Sequence, residues 1–307
     1  MKPILVLDCN FLAYQALHTT GCLSTSGDDP SGVTYGFLNR IVSLAEQFHT
    51  PRLVFCWDGG NSIRKKRYAW YKLRDAEETP AEKEARKLAC QQFNTLATYT
   101  LPSLGFGNVF CFEGYEGDDV IASIVNEWTG DKVIVSSDED MFQLLSEGSC
   151  RMYNPTKRRM ITKQTFMEEF GIHPVEWITV KKIAGCHSDK VPGVRGVGEK
   201  TALKYIRGEL KANSKAHQDI TCAAGVATAV RNHWLVELPL PDCPVPQEQK
   251  DHFNLGEWKR VCSSLEFHSL TSPEYMEKLR RCFLSTPTVN VCGVRGFSGL
   301  RKGVGNV

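Results

Sequence analysis

Four short runs of β-branched and aromatic residues, each followed closely by acidic side chains, constrain this chain more than any other feature. They are ILVLD (4–8), RLVFCWD (52–58), NVFCF (108–112) and KVIVSS (132–137), and each reads as a buried strand. Helical patterns recur between them, in GFLNRIVSLAEQF (36–48), AEKEARKLACQQFNTLATYTL (81–101) and DDVIASIVNEW (118–128). Strands alternating with helices imply an α/β fold with a mostly parallel central sheet flanked by helices. After about residue 160 the pattern becomes helical with loops, at 163–171, 174–185, 199–208, 254–267 and 272–283. Pro239, Pro241, Pro244 and Pro246 mark an extended connector. The expected division is an α/β domain over 1–162, a helical lobe over 163–290 and a flexible basic, Gly-rich tail over 291–307.

A chain of 307 residues with 42% hydrophobic content can bury one large core, or a core and a smaller lobe. The net charge of +2 excludes a wholly basic nucleic-acid coat protein but not segregated patches. The N-terminal apolar run is broken by Asp8 and is too short for a signal peptide. No run approaches the roughly 18 apolar residues that span a bilayer. The expectation is a cytoplasmic protein with no membrane partner. The twelve cysteines are scattered without a CxxC pair, which reads as reduced thiols and argues against a zinc site.

The acidic residues are placed regularly. Asp8 ends the first strand and Asp58 the second. Glu116, Asp118 and Asp119 follow the third, and Asp138 and Asp140 the fourth. In an open parallel sheet the C-terminal strand ends share one edge, so these carboxylates should converge on one cleft. Glu116 and Asp119 are spaced to share a helix face, and Asp138 and Asp140 project together if extended, with Glu139 turned away. Two carboxylates about 4 Å apart repel by roughly 4 kcal/mol at an effective dielectric near 20. Such a cluster must protonate or bind cations, and all-oxygen ligation suits Mg²⁺ or Mn²⁺. Two such ions serve phosphoryl transfer. The plainer alternative is that each Asp caps a helix or ends a turn.

SIRKKRYAWYKLRD (62–75) sets Arg64, Lys65, Lys66, Arg67, Lys72 and Arg74 among Tyr68, Trp70 and Tyr71. Basic groups neutralise phosphates and aromatics stack on unpaired bases, so this segment suits DNA; the alternative is a solvated face with snorkelling side chains. VPGVRGVGEKTA (191–202) resembles a phosphate-binding P-loop, but Glu199 intrudes before Lys200 and Thr201, and a helix precedes it. A helix–hairpin–helix fits better. Gly193, Gly196 and Gly198 allow close phosphate approach, the next helix presents its N-terminal NH groups, and Lys200 adds charge. An ordinary helix–helix turn is the alternative.

Together LVLDCN, VFCWD, YKLR, GYEGDDVIA, VSSDEDMFQLL and VPGVRGVGEKTA resemble the 5′→3′ exonuclease/flap endonuclease family, in its stand-alone bacterial or phage form. Weaker likeness runs through NHWLVELPLP and LEFHSL to about residue 285. The resemblance implies a PIN-like fold with a helical arch at about 60–100 and a helix–hairpin–helix at about 174–208. It implies two Mg²⁺ ions, replaceable by Mn²⁺, held directly or through water by Asp8, Asp58, Glu116, Asp118, Asp119, Asp138, Asp140 and Asp189. Lys72 and Arg74 would polarise the scissile phosphate, and Tyr68 and Tyr71 would contact the threaded 5′ strand. The hairpin loop would hold K⁺. Substrates would be DNA with 5′ flaps, overhangs or nicks, and RNA primers, cut by a monomer in replication or repair to leave 5′-phosphate and 3′-hydroxyl ends.

The chain departs from the family pattern GDxSDN. GCHSDK (185–190) keeps Asp189 but has Cys186 at the first Asp position and Lys190 at the Asn position. This predicts weaker second-metal affinity and a higher Mg²⁺ requirement, with His187 as a candidate substitute ligand. The arch also has one residue fewer between Lys72 and Arg74 than many bacterial relatives. A haloacid dehalogenase-type phosphatase would need an Asp where Asn10 stands, and a dinucleotide-binding enzyme would need a Gly-rich turn after the first strand. The remaining alternative is a DNA-branch-binding protein with a weakened or inactive metal site. The lack of a polymerase-sized extension points to a stand-alone nuclease.

Overall fold

The computed structural model describes residues 2–73 and 79–284. Arg74 and the tail at 291–307 lie outside the described residues.

Strand β1 (Ile4–Asp8) leads straight into α1 (Cys9–Thr20), where Asp8 serves as N-cap and accepts from Phe11 N at 3.0 Å. There follow α2 (Gly32–Gln47), β2 (Leu53–Asp58), the short α3 (Ile63–Arg67) and α4 (Pro80–Thr95). Helix α4 opens with Pro80 in its first turn and a capping box between Thr79 and Glu82. It continues through a π turn into α5 (Leu101–Ser103), then β3 (Val109–Phe112), α6 (Gly117–Glu127) and β4 (Lys132–Val135). A hairpin of β5 (Cys150–Asn154) and β6 (Arg159–Ile161) precedes α7 (Lys163–Phe170) and α8 (Trp177–Ala184). A two-stranded hairpin, β7 (Gly185–Cys186) and β8 (Val191–Pro192), leads towards α9 (Glu199–Ile206). Helices α10 (Lys215–Thr221), α11 (Ala223–Val236), α12 (Leu255–Ser264) and α13 (Pro273–Leu279) follow among the described residues.

The sheet has the order β3-β2-β1-β4-β5-β6, parallel throughout except for the antiparallel β5–β6 pair. Its two faces follow the period-two alternation of the strands. Leu5, Leu7, Phe55, Trp57, Val133 and Val135 face one core with Phe37 and Ile41 of α2. Ile4, Val6, Val54, Cys56 and Ile134 face the other, with Val120 and Ile124 of α6 and Trp177 of α8.

Three expectations change here. The C-terminal part of the expected helical lobe does not stay with the hairpin: Trp258, Val261, Leu270 and Leu279 pack into the same core as Leu5 and Phe37. The connector returns along the β3 side, where His252 N donates to Gly105 O at 2.7 Å and Asn254 N to Leu104 O at 2.9 Å. The expected arch is also too long, because Ala89, Phe93 and Leu96 are buried in that core. Strands β5 and β6 and helices α1, α10 and α11 were not read from the sequence. The four expected parallel strands stand within two residues of their expected ends. Among the described residues no helix is long and apolar enough to cross a membrane.

Candidate metal and nucleic-acid site

The parallel register brings the C-terminal ends of β3, β2, β1 and β4 to one edge: Asp8 lies opposite Cys56, and Asp58 opposite Phe112. Each carboxylate is then fixed locally. Asp8 Oδ2 accepts from Ser136 Oγ at 2.7 Å, while its other oxygen caps α1, so capping and clustering coexist in one residue. Asp58 Oδ1 accepts from Gly117 N at 2.7 Å, and Asp58 N donates to Asn10 Oδ1 at 3.1 Å. Asp138 caps the 3₁₀ turn Glu139–Leu144 and accepts from Asp140 N at 2.8 Å. Glu139 turns away towards Lys157, although the segment is a 3₁₀ turn and not the extended run that the spacing argument assumes. Asp118 accepts no hydrogen bond among the described residues.

The electrostatics show the strain of the cluster. Burial, with Asp58 and Asp138 nearby, raises the Asp8 carboxyl to about 6. Burial and Asp138 raise Asp140 to about 6, against the opposing pull of Lys181. Burial, then Asp138 and Asp8, push Asp118 well above the carboxylate range. Asp58 and Asp189 are also raised, chiefly by burial. Glu116 behaves oppositely. Burial would raise it, but Lys72 and Arg64 together outweigh that and hold it low.

Lys72 is the cation at the centre. Its Nζ lies 2.8 Å from Glu116 Oε2 and 3.8 Å from Asp189 Oδ2, and its backbone N donates to Asp189 O at 2.8 Å. Its φ of 50° is left-handed, a conformation that costs a non-glycine residue about 1–2 kcal/mol and is held here by those contacts. Ser62 Oγ also donates to Glu116, at 2.9 Å.

Five expected roles are corrected. Asp119 is completely buried, and both its oxygens are spent: Arg64 Nη1 and Nη2 donate to them at 2.6 and 2.8 Å, and Glu116 N and Leu240 N at 3.1 and 2.8 Å. It is a structural anchor, not a metal ligand. Arg64 is 2% exposed and also donates to the carbonyls of Leu235 and Glu237, so it does not face DNA. Tyr71 is likewise 2% exposed, its hydroxyl donating to Glu116 Oε2 at 3.1 Å. Tyr68 spends its ring on Trp70 and Trp234, in a small apolar cluster with Tyr71, Ile178 and Leu235. The aromatics of the basic segment are therefore packing residues rather than a base-stacking platform. His187 is exposed and stands apart from the ligand group Asp140, Cys186 and Asp189.

Lys65, Lys66 and Arg67 are exposed. A cleft of about 490 Å³ opens between Asp58, Ser62, Lys65, Lys66, Lys72 and Glu116, so positive charge borders the acidic edge. At the hairpin, a Cβ on Gly193 would lie 2.1 Å from Ala184 O, so only glycine lets the two segments approach. Gly196 has φ +75°, and Gly196, Gly198 and Lys200 are exposed at the start of α9, with Thr201 half-buried.

Sequence reasoning passed over Lys181, Ser136, Ser62 and Asn10. Lys181 Nζ lies 3.2 Å from Asp140 Oδ1 and 5.3 Å from the Trp177 ring. The Trp177–Lys181 spacing of four, on a helix entering the hairpin, was the available signal. The hydroxyls and Asn10 carry no signal beyond adjacency to the acidic motifs.

A parallel sheet with its carboxylates gathered on one edge, crossed by a basic segment and flanked by a glycine hairpin, defines the PIN-like, resolvase-like class of α/β fold. Residues 3–171 match the family described as 5′-3′ exonuclease, N-terminal resolvase-like domain, and the chain belongs to that family. It is 34% identical over 198 residues to a 5′-3′ exonuclease of Bacillus subtilis, covering 62% of this chain and 64% of that one. It is 32% identical over 218 residues to a 5′-3′ exonuclease of Aquifex aeolicus, covering 67% and 70%. The chain thus spans less than two thirds of the Bacillus relative. Among solved structures, the T5 D15 flap endonuclease in complex with DNA and metal ions shares the fold, with a TM-score of 0.64, 20% identity and coverage of 91% and 99%.

Proposed function

We propose that this protein is a structure-specific 5′ nuclease. It cuts DNA phosphodiesters at 5′ flaps, overhangs or nicks, and leaves a 5′-phosphate and a 3′-hydroxyl. The observation that carries the reading is the convergence of the strand-end carboxylates on one edge around Lys72, at the foot of an exposed basic segment.

The donor set fits divalent cations. Among the described residues Asp118 accepts no hydrogen bond, Asp140 Oδ1 has only the ion pair with Lys181, and several carboxyls are pushed up by burial and mutual repulsion. Asp8, Asp58, Glu116, Asp118, Asp138, Asp140 and Asp189 would hold two Mg²⁺ ions, with Mn²⁺ as a substitute. Bound there, the ions supply charge neutralisation at the phosphate and activation of the attacking water. The protein's own residues do the rest. Lys72, pinned between Glu116 and Asp189, aims an ammonium at the place a scissile phosphate would occupy; Arg74 is given the same role from the family resemblance alone. Lys65, Lys66 and Arg67 neutralise the phosphates of the 5′ strand as it crosses the cleft. Gly193, Gly196, Gly198, Lys200 and Thr201 hold duplex backbone without reading bases, and hairpin carbonyls take K⁺. Ser136, Ser62 and Asn10 keep Asp8, Glu116 and Asp58 oriented. The protein acts as a monomer in the cytoplasm, on replication or repair intermediates that include RNA primers.

The test is cleavage of a 5′-labelled flap duplex across a Mg²⁺ titration, with EDTA and Asp138→Ala as controls. Metal-dependent cutting near the junction, lost in both controls, is expected. Tight DNA binding without cutting at any Mg²⁺ or Mn²⁺ concentration would overturn the nuclease reading in favour of a branch-binding protein.

A further inference from the structure

Cys186 has no part in the chemistry above, yet it is held at the hairpin edge of the same cleft. Its Sγ, a carboxylate oxygen of Asp140 and one of Asp189 all lie within 4.8 Å of one another. Cys186 is 6% exposed and Asp140 7%. Asp140 Oδ1 is buried, and among the described residues only the Lys181 ammonium reaches it, as an ion pair at 3.2 Å. The thiol's polar neighbour is Ser188 Oγ at 3.0 Å. The thiol cannot easily swing away. Cys186 is paired with Val191 across the hairpin, and the close approach of Gly193 to Ala184 locks the hairpin to the end of α8.

Donor chemistry separates this trio from the rest of the cleft. Mg²⁺ takes an all-oxygen shell and gains nothing from sulfur. Zinc and cadmium accept thiolate and carboxylate together, and three protein donors with a position left open make an open zinc-type site. The lack of CxxC spacing bears on sites built from several cysteines, not on one thiol between two carboxylates. The geometry points to Asp140, Cys186 and Asp189 as a site for one thiophilic divalent cation, zinc or cadmium, which competes there with the second of the two Mg²⁺ ions and leaves the all-oxygen site on the strand side of the cleft to the first. Binding exchanges the thiol proton for the metal, and the proton leaves to solvent. Lys181 gives up Asp140 to the incoming ion. The inference rests on the metal-site reading above, but it is read by binding rather than cleavage, so the two can fail separately.

The full chain is titrated with Cd²⁺ while thiolate-to-metal charge-transfer absorption is followed in the ultraviolet. Zn²⁺ affinity is measured in parallel by competition with a chromophoric chelator. Wild-type protein should show a band that Cys186→Ser lacks and Cys90→Ser, which removes an exposed thiol elsewhere, retains. Loss of an outer-sphere partner alone weakens metal sites about 10–100-fold, so Cys186→Ser and Asp140→Asn should bind Zn²⁺ at least about tenfold more weakly. Mg²⁺ affinity in Cys186→Ser should be unchanged. Circular dichroism checks that the variants fold. Should Cys186→Ser not fold, alkylation of wild-type protein mapped by peptide mass spectrometry decides instead: Zn²⁺ should shield the Cys186 peptide selectively. Equal Zn²⁺ affinity in wild type and Cys186→Ser, or no selective shielding, overturns the assignment.

Discussion

On the strand side of the cleft Asp8, Asp58 and Asp118 face one another with Lys72 as the nearby cation; on the hairpin side Asp140 and Asp189 share Cys186, Lys181 and Lys72. The strand side is fixed by sheet register, which no side chain can relax, and its charge must be met largely from solvent. The hairpin side is partly neutralised from within, because Lys181 already lies against Asp140. Equal counts of acidic residues therefore do not make equal metal sites. What decides is how much of each carboxylate's charge the protein itself has already answered.

The sharpest way to break this comparison is a pair of adjacent substitutions on α6. Asp118→Ala should lower cleavage by about a thousandfold, the several kcal/mol that metal-held charge supplies, with little loss of stability in urea unfolding. Asp119→Ala should destabilise by about 3–5 kcal/mol, because it strands buried Arg64 without its partner. If Asp118→Ala unfolds the protein as readily as Asp119→Ala, the division between ligand and anchor is wrong. Lys72→Ala should come next, cutting kcat about a hundredfold at saturating Mg²⁺ while leaving KM near its wild-type value. An effect on KM alone would make Lys72 a binding residue only.

The pH dependence of metal-free protein gives a smaller but signed effect. Asp8 and Asp140 are raised from 3.8 to about 6 in the folded state. Between those values the folded protein binds more protons than the unfolded chain, so stability from these groups is complete below about pH 4 and lost as pH rises through about 6. Tm in EDTA should fall over that window, and Mg²⁺ should restore it progressively above it. A Tm in EDTA that rises across the same window would show that the cluster is not strained. The smallest effect is that of Cys186→Asp, which should lower the Mg²⁺ midpoint for cleavage several-fold. An unchanged midpoint would mean that Lys181, and not the missing carboxylate, sets the metal requirement.

The α/β class was legible because strand alternation and helix periodicity are local signals, and the carboxylate edge followed from parallel topology alone. What sequence could not show was which members of a motif turn inward. Glu116, Asp118 and Asp119 stand in one short stretch, yet the third is drawn off by Arg64, a residue 55 positions away. The basic segment misled for the same reason. Tyr68 and Tyr71 look like stacking residues until Trp234 and Leu235 of α11 arrive to cover them. Strands β5 and β6 escaped notice because CRMYN and RMI are short and mixed in polarity.

The return of α12 and α13 to the face of the sheet that carries Leu5 and Phe37 has a consequence for how the molecule comes into being. On the ribosome, β1 is made well before α12 and α13, the helices that finish covering it. Until residues 255–279 emerge, that face stays partly open to solvent, a sticky surface in a chain that already carries every acidic residue of the cleft. Assembly of this protein is thus bound to long-range closure, which slows folding and leaves the nascent chain in need of protection until α12 and α13 dock.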